Sequence, residues 1–394
     1  GSVSPVCART GDDFMRAPSS ARIVFVDNYP HASVGGGEQH LLLVADGCKA
    51  AGADTQVVCT PGSGLAALAE ERGHVVVPLD MRARSASTPS RIAGAFSELH
   101  PSIVHFHGFY VTAAGAKGAT ASGACAVLTT VHNMPSAPAS LRPGVRGRVE
   151  VAMRDAITRR AARHLDRVVC VVDAARVELE AAGVPAGKLV TIHNGIPTPV
   201  LERGEVQTGE SGSLGPLVGS VGRFEPLKGY PYFIEAAALV SKRVPGARFR
   251  LVGDGSLHDE LEERAATAGL GERISFPGWS STPLAEIAAM DVYVASSVTD
   301  TTNLTVVEAM ALGKPAVVTR VGGLPEVVAD GVTGYVVPPR DAEALAARIT
   351  QLLEDPDARR RMGEAARARF LERFTAERMV DEHLALYGSL LACE

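Results

Sequence analysis

The sequence predicts an α/β protein of two doubly wound, Rossmann-like domains facing a central cleft. Three observations carry this. The chain has 394 residues, more than a single hydrophobic core usually holds. Short, nearly continuous apolar runs alternate with helix-like segments, as parallel strands covered on both faces should. The alternation breaks at a polar, Gly/Ser/Glu-rich stretch, 199–216, and then restarts, which marks a linker.

In order, "RIVFVD" (22–27) reads as a strand, followed by the glycine loop "SVGGGEQ" and the helical pattern "HLLLVADGCKAAG". "TQVVCT", "HVVVPL", "SIVHFHG", "CAVLTTVHN" and "DRVVCVVD" read as further buried strands with helical segments between most of them. A first domain over 21–198 results. Beyond the linker, "LVGSVGR", "RFRLVGDG", "ERISFPGW", "DVYVASS", "PAVVTRVGG" and "TGYVVPP" supply strands, and "YFIEAAALVSKRV" and "LHDELEERAATAGL" supply helices, giving a second domain over 217–375. The segment from Asp341 onward is helical in pattern, ending in a helix at about 376–394.

The composition narrows the function. Hydrophobic residues make up 46% of the chain and the formal net charge is -5, which argues against a general nucleic-acid binder. Cys7, Cys48, Cys59, Cys125, Cys170 and Cys393 form no CxxC pair, so reduced thiols in a cytoplasmic protein are expected rather than a disulfide frame or a zinc site. No apolar run reaches the ~18 residues a spanning helix needs. The start, Gly1-Ser2, reads as a remnant of cloning, and no signal-peptide core follows it.

Several strand ends carry residues suited to a ligand. Gly35-Gly36-Gly37-Glu38 lies between a strand and a helix, where glycines admit close approach and a helix N-terminus offers N–H groups; alone, it is equally a flexible turn. In "GSVGRFEPLKGY" (219–230), Gly222-Arg223 closes a strand and Lys228 precedes the next helix, placing two cations where parallel sheets bind anions. Gly253 and Gly255 form a tight turn at the same edge. "SSVTDTTNLTVVEAM" (296–310) sets Asp300 on a loop and Glu308 about one turn into a helix running from about Thr305 to Leu312, with Gly313 as its stop. N–H groups near Asn303, Leu304 and Thr305 would point at an anion, and Glu308 could accept hydrogen bonds from a pair of sugar hydroxyls. His105, His107 and His132 end two strands with no carboxylate or Cys at metal-ligand spacing, so no metal is expected; His132 could bond a leaving group or a sugar hydroxyl. The segment 142–167 holds eight Arg against three acids, either a solvated helix face or a dock for an anionic acceptor or membrane surface.

Taken together and in order, these residues resemble glycosyltransferase family 4, retaining sugar transferases of the GT-B fold. The likeness runs nearly the whole chain, through "GGGE" (35–38), "TVHN" (130–133), "VTIHNGI" (190–196), "VGRFEPLKG" (221–229), "LVGDG" (251–255), "EAMALGKPAVVT" (308–319), "VGGLPEVV" (321–328) and "GVTGYVVPP" (331–339). The resemblance implies that Arg223 and Lys228 hold the donor diphosphate, that Glu308 holds the ribose, and that 301–305 meets phosphate and sugar through its backbone. It places His132 near the donor sugar, with Glu38, His107 and Asn133 on the acceptor side and Gly36, Gly37, Gly222, Gly253 and Gly255 around the donor. It further implies a nucleotide-diphosphate sugar of UDP, GDP or dTDP type as co-substrate, a small-molecule or glycan acceptor, no cofactor and no divalent metal. The C-terminal helix should pack back on the first domain.

One departure stands out. The family usually has Glu, often followed by Gly-Phe-Gly, where this chain has Asp300-Thr301-Thr302-Asn303, with the spacing to Glu308 kept. Asp is one methylene shorter, and a misplacement of about 1 Å can cost ~100-fold in rate. A donor sugar with an unusual hydroxyl pattern is the expectation. A GT-B phosphorylase or epimerase, or a catalytically weak sugar-nucleotide binder, are the alternatives; a dehydrogenase is more distant, because no GxGxxG opens either domain.

Overall fold

The computed structural model describes residues 21–31, 34–79, 88–137, 141, 144–198 and 215–392. Most of the expected linker, 199–214, lies outside the described residues, as do Cys7, Cys393 and Arg142.

The first domain alternates strand and helix throughout: β1 (Arg22–Asp27), α1 (Gly36–Ala50), β2 (Asp54–Cys59), α2 (Gly64–Glu71), β3 (Val75–Pro78), α3 (Thr88–Leu99), β4 (Ile103–His107), α4 (Phe109–Ala121), β5 (Ala126–Val131), α5 (Val145–Ala162), β6 (Arg167–Cys170), α6 (Asp173–Ala181) and β7 (Leu189–Thr191). Its strands pair in parallel in the order β3-β2-β1-β4-β5-β6-β7. Runs such as Val24, Phe25 and Val26 are fully buried, which is why they lack an in-out alternation. Helix α1 starts four residues before the apolar pattern, at Gly36. Glu38 makes this possible by accepting a hydrogen bond from Gly35 N at 2.8 Å, a reach back over the first turn that closes the helix end.

The second domain repeats the scheme with β8 (Leu217–Val221), α7 (Tyr230–Arg243), β9 (Arg248–Val252), α8 (His258–Thr267), β10 (Ile274–Gly278), α9 (Pro283–Ala288), β11 (Val292–Ala295), α10 (Leu304–Ala311), β12 (Ala316–Thr319), α11 (Leu324–Val327), β13 (Gly334–Val337), α12 (Ala342–Glu354) and α13 (Pro356–Arg373). Its parallel order is β10-β9-β8-β11-β12-β13. Strand order reverses between β1 and β4 in one sheet and between β8 and β11 in the other. Ligands of open α/β sheets bind outside the carboxyl ends of strands at such reversals.

The last helix, α14 (Ala376–Leu391), returns to the first sheet. The crossing is fixed by Ile196 N donating to Phe374 O at 3.0 Å and Ala376 N donating to Ile196 O at 2.8 Å. Met379 and Tyr387 of α14 are fully buried with Leu41, Leu42 and Ala45 of α1 in one core. No described helix is long and apolar enough to cross a membrane.

Candidate active site between two sheet edges

The carboxyl ends of β8 and β11 carry most of the candidate donor residues. Arg223 follows β8, is exposed, and makes no ion pair from its guanidinium among the described residues. A short 3-10 turn, Pro226–Lys228, then leads through Gly229 (φ 64°) into α7, so Lys228 sits just ahead of the helix rather than in it. Gly253 lies against the end of β8: a Cβ there would fall 1.9 Å from Gly222 O, and its φ of 142° also excludes other residues. Gly255 packs on Phe224 in the same way. These two glycines therefore shape the loop that displays Arg223.

Helix α10 begins at Leu304, one residue before the expected start, behind Asn303 at φ 50°. Gly313 ends it, as the sequence indicates. Glu308 projects one turn in. Its Oε2 is shielded from solvent with no hydrogen-bond partner among the described residues, and desolvation pushes its pKa up from 4.5 to about 7. Unpartnered buried carboxylate oxygens are rare, and this one is placed to receive hydroxyl donors.

Asp300 is not open toward the cleft. Its Oδ2 accepts from Lys228 Nζ at 2.8 Å, from Ser297 Oγ at 2.9 Å and from Asn303 Nδ2 at 2.9 Å, and its Oδ1 accepts from Thr301 N at 3.0 Å. The shorter acid is thus paired with Lys228, the cation expected to hold the donor diphosphate. Thr305 Oγ1 is likewise held, by Tyr293 Oη at 2.6 Å and Asn303 Oδ1 at 2.7 Å. Gly322 permits the loop's position: a Cβ there would lie 1.7 Å from Asp300 O.

The first sheet faces this edge. Gly36 approaches Leu304 so closely that a Cβ would lie 2.9 Å from Leu304 Cδ1, and Gly37 lies over the His132 ring. Gly36 thus sits where the two domains meet. Glu38, expected on the acceptor side, has one carboxylate oxygen committed to the α1 start. Asn133 is exposed beside a largely apolar cavity of about 70 Å³ lined also by Phe109, Thr130, His132, Arg154 and Thr158. A larger, open cavity of about 560 Å³ lies between α7 and α12 and touches none of these residues.

His132 belongs to a cluster that the sequence revealed only in part. His40, His105, His107, His132 and His383 pack together, His107 stacked on His132 and the other pairs tilted or edge-on, with centroids 4.5 to 5.9 Å apart. Burial keeps all five neutral, with added repulsion from neighbouring histidines for His40, His105, His107 and His132 and from Arg378 for His383; His132 and His383 are pushed down to about 4. His132 can therefore donate or accept a hydrogen bond at neutral pH but offers no positive charge. His107 Nδ1 lies 3.0 Å from His132 Nε2, and His107 Nε2 is buried without a partner. A proton on His107 Nδ1 satisfies that contact and leaves the His132 proton on Nδ1.

Sequence reasoning also missed Asp27 at the end of β1, which Tyr29 N bonds at 2.6 Å and which burial raises to about 7. It missed the chain from His40 Nδ1 to Asn194 Oδ1 (2.8 Å) and from Asn194 Nδ2 to Thr302 Oγ1 (3.3 Å), which spans both domains. The signal available was Asn194 itself, in the quoted "HNG" after a strand.

A third omission is Glu326 on α11. Its two oxygens accept from Asp173 N and Ala174 N, each at 2.7 Å, so an acid of one domain caps α6 of the other. His193 Nε2 lies 3.2 Å away. Asp173, His193 and Glu326 are the one group among the described residues whose ligand-type atoms cluster at metal-site spacing, and all three are engaged in these hydrogen bonds. Glu326→Ala is expected to lower stability by about 1–2 kcal/mol through the lost cap. Urea unfolding tests this, and an unchanged midpoint would remove Glu326 as a clasp between the domains.

Two parallel-sheet α/β domains, each with one reversal of strand order, make up the GT-B fold. Residues 34–199 match the family model described as Glycosyltransferase Family 4, and 209–369 the one described as Glycosyl transferases group 1. The chain belongs to glycosyltransferase family 4.

Among relatives, the lipopolysaccharide core biosynthesis glycosyltransferase LpsE of Rhizobium meliloti is 36% identical over 174 residues, 44% of this chain and 50% of that one. The D-inositol 3-phosphate glycosyltransferase of Segniliparus rotundus is 36% identical over 183 residues, 44% of this chain and 40% of that one. The chain thus spans half or less of the length of these relatives. Among solved structures, Anabaena HepE in complex with UDP and glucose superposes with a TM-score of 0.77 at 21% identity, covering 92% of this chain and 98% of that one. Sucrose-phosphate synthase from Thermosynechococcus elongatus gives 0.77 at 21%, covering 95% and 100%.

Proposed function

We propose that this protein is a retaining, metal-independent hexosyltransferase that moves a sugar from a nucleoside-diphosphate donor to an acceptor hydroxyl. The carrying observation is the buried, unpartnered Oε2 of Glu308 on α10, in the same domain whose β8 is followed by Arg223 and Lys228. The solved complexes of HepE with UDP and UDP-glucose support a nucleotide-sugar donor. On this reading 217–375 binds the donor, and 21–198 with α14 binds the acceptor. Glu308 takes the ribose hydroxyls, and Arg223 meets the diphosphate. His132 donates from Nδ1 to the transferred sugar. The bond from the sugar carbon to the acceptor oxygen forms on the face where the bond to the leaving phosphate breaks, and that phosphate takes the acceptor's proton. Arg223, Lys228 and the start of α10 supply the charge stabilisation that a metal supplies elsewhere. No cofactor is required. A cytoplasmic location fits the buried thiols of Cys48, Cys59 and Cys170.

Thermal unfolding with UDP, GDP, dTDP, ADP and NAD, each with and without EDTA, tests the reading. One nucleoside diphosphate is expected to stabilise the protein by about 2.7 kcal/mol at 100-fold above its Kd, unaffected by EDTA. Stabilisation by none of them, or only by NAD, would remove the donor site. The tethering of Asp300 favours a second reading, a sugar-nucleotide binder with weak turnover. Nucleotide binding without transfer to any of a broad set of acceptors would select it.

A further inference from the structure

Helix α5 carries an outer face that nothing among the described residues covers. Val145, Val149, Met153 and Ile157 are 69%, 51%, 62% and 41% exposed. Their spacing of four places them along one side of the helix. Arg146, Arg148, Arg159, Arg160 and Arg163 are exposed around them, while the two acids of the helix, Glu150 and Asp155, are half-buried. Arg159 donates to the backbone oxygen of Ala182 at 2.8 Å. The whole chain has a net charge of -5, so this face has the opposite sign to the rest of the molecule.

We propose that the outer face of α5 docks on an anionic lipid bilayer, the apolar line entering the interface and the arginines meeting the phosphate headgroups. An apolar stripe rimmed by cations on a helix too polar to span is what such a surface recognises. Self-association through the same face would bring arginine against arginine across a twofold axis. A nucleic acid would satisfy the arginines and leave the Val, Met and Ile side chains in water.

The opposite side of α5 gives the docking a purpose. Arg154, Thr158 and Ala161 line the cavity beside His132, and Arg154 stacks over Phe109 at 4.8 Å. A bilayer on the outer face lies one helix diameter from that cavity, within reach of an acceptor hydroxyl carried on an amphiphile. This consequence rests on the transferase reading; the docking itself does not.

The test is sedimentation of the full chain with vesicles of phosphatidylcholine plus phosphatidylglycerol, and with vesicles of phosphatidylcholine alone. The protein is expected to pellet with the anionic vesicles only, less so as salt rises. Arg146→Glu with Arg160→Glu should weaken binding at least about 25-fold, about fivefold for each arginine lost. Val149→Asp with Met153→Asp should also abolish it. Both variants should keep the wild-type circular dichroism and nucleotide stabilisation, since all four positions are exposed. Equal binding to both vesicle types, no binding, or binding unchanged in either variant would overturn the proposal. So would a wild-type dimer that Val149→Asp dissociates. Vesicle binding without nucleotide stabilisation would sink the transferase reading alone, and the reverse result would sink the docking alone.

Discussion

Glu308→Gln is expected to stabilise the protein at pH 8 and, at the same time, to cripple donor binding. Folded Glu308 holds its proton up to about pH 7, whereas the unfolded chain releases it near 4.5. Between those values the fold binds more protons than the unfolded state, so its stability falls as pH rises through that window. The full effect, above pH 7, is about 3 kcal/mol. Glutamine keeps the shape and removes the charge, so the gain should be present at pH 8 and absent at pH 4. Asp27 titrates over a similar range and will leave part of the wild-type slope in the variant. Nucleotide affinity should move the other way. Hydrogen bonds to a charged acceptor contribute about 1.5–3 kcal/mol each, so an affinity loss of about 10- to 100-fold is expected. In the wild type, affinity should strengthen as pH rises through 7 and Glu308 ionises. Chemical unfolding at the two pH values with a nucleotide titration at each measures both. A variant that binds the nucleotide normally would remove Glu308 from the site.

The second large effect concerns Lys228. Removing its ammonium leaves Asp300, whose side chain is 9% exposed, without its cation. Loss of one member of a buried pair costs about 3–5 kcal/mol. The low end applies here, because Ser297, Asn303 and Thr301 still donate to the carboxylate. Lys228→Met should therefore destabilise by about 3 kcal/mol. Asp300→Asn in the same chain should recover most of that, because an amide needs no cation. If the double variant is no more stable than Lys228→Met alone, the two residues are not coupled. Nucleotide affinity should stay low in both variants, which separates the folding role of the pair from its binding role.

Both sheets were legible because fully buried strands announce themselves as apolar runs, such as "RIVFVD" and "DVYVAS", and because the chain's alternation leaves parallel pairing as the simplest outcome. The start of α1 was not legible. Three glycines argue against helix by propensity, and the Glu38 cap together with the tertiary setting, with Leu304 and His132 close to Gly36 and Gly37, outweighs them. The positions of Glu308 and Arg223 could be read because a strand end and a helix's second turn are local features. The Asp300–Lys228 pair could not, since 72 residues separate its members and nothing local to either specifies the other. The same holds for the histidines. His105, His107 and His132 stood out at strand ends, but His40 and His383 lie on helices, and only the packing of α14 against α1 brings them in.

That packing also orders events during synthesis. Helix α14 supplies Met379 and Tyr387 to the first domain's core, and Tyr387 Oη bonds His105 Nδ1. The first sheet is finished at Thr191, 200 residues before α14 ends at Leu391 (391 − 191). At ordinary translation rates that interval lasts roughly 10–40 s. Throughout it α1 has an open apolar flank while the second domain is being made and folded. The first domain to emerge is thus the last to be completed.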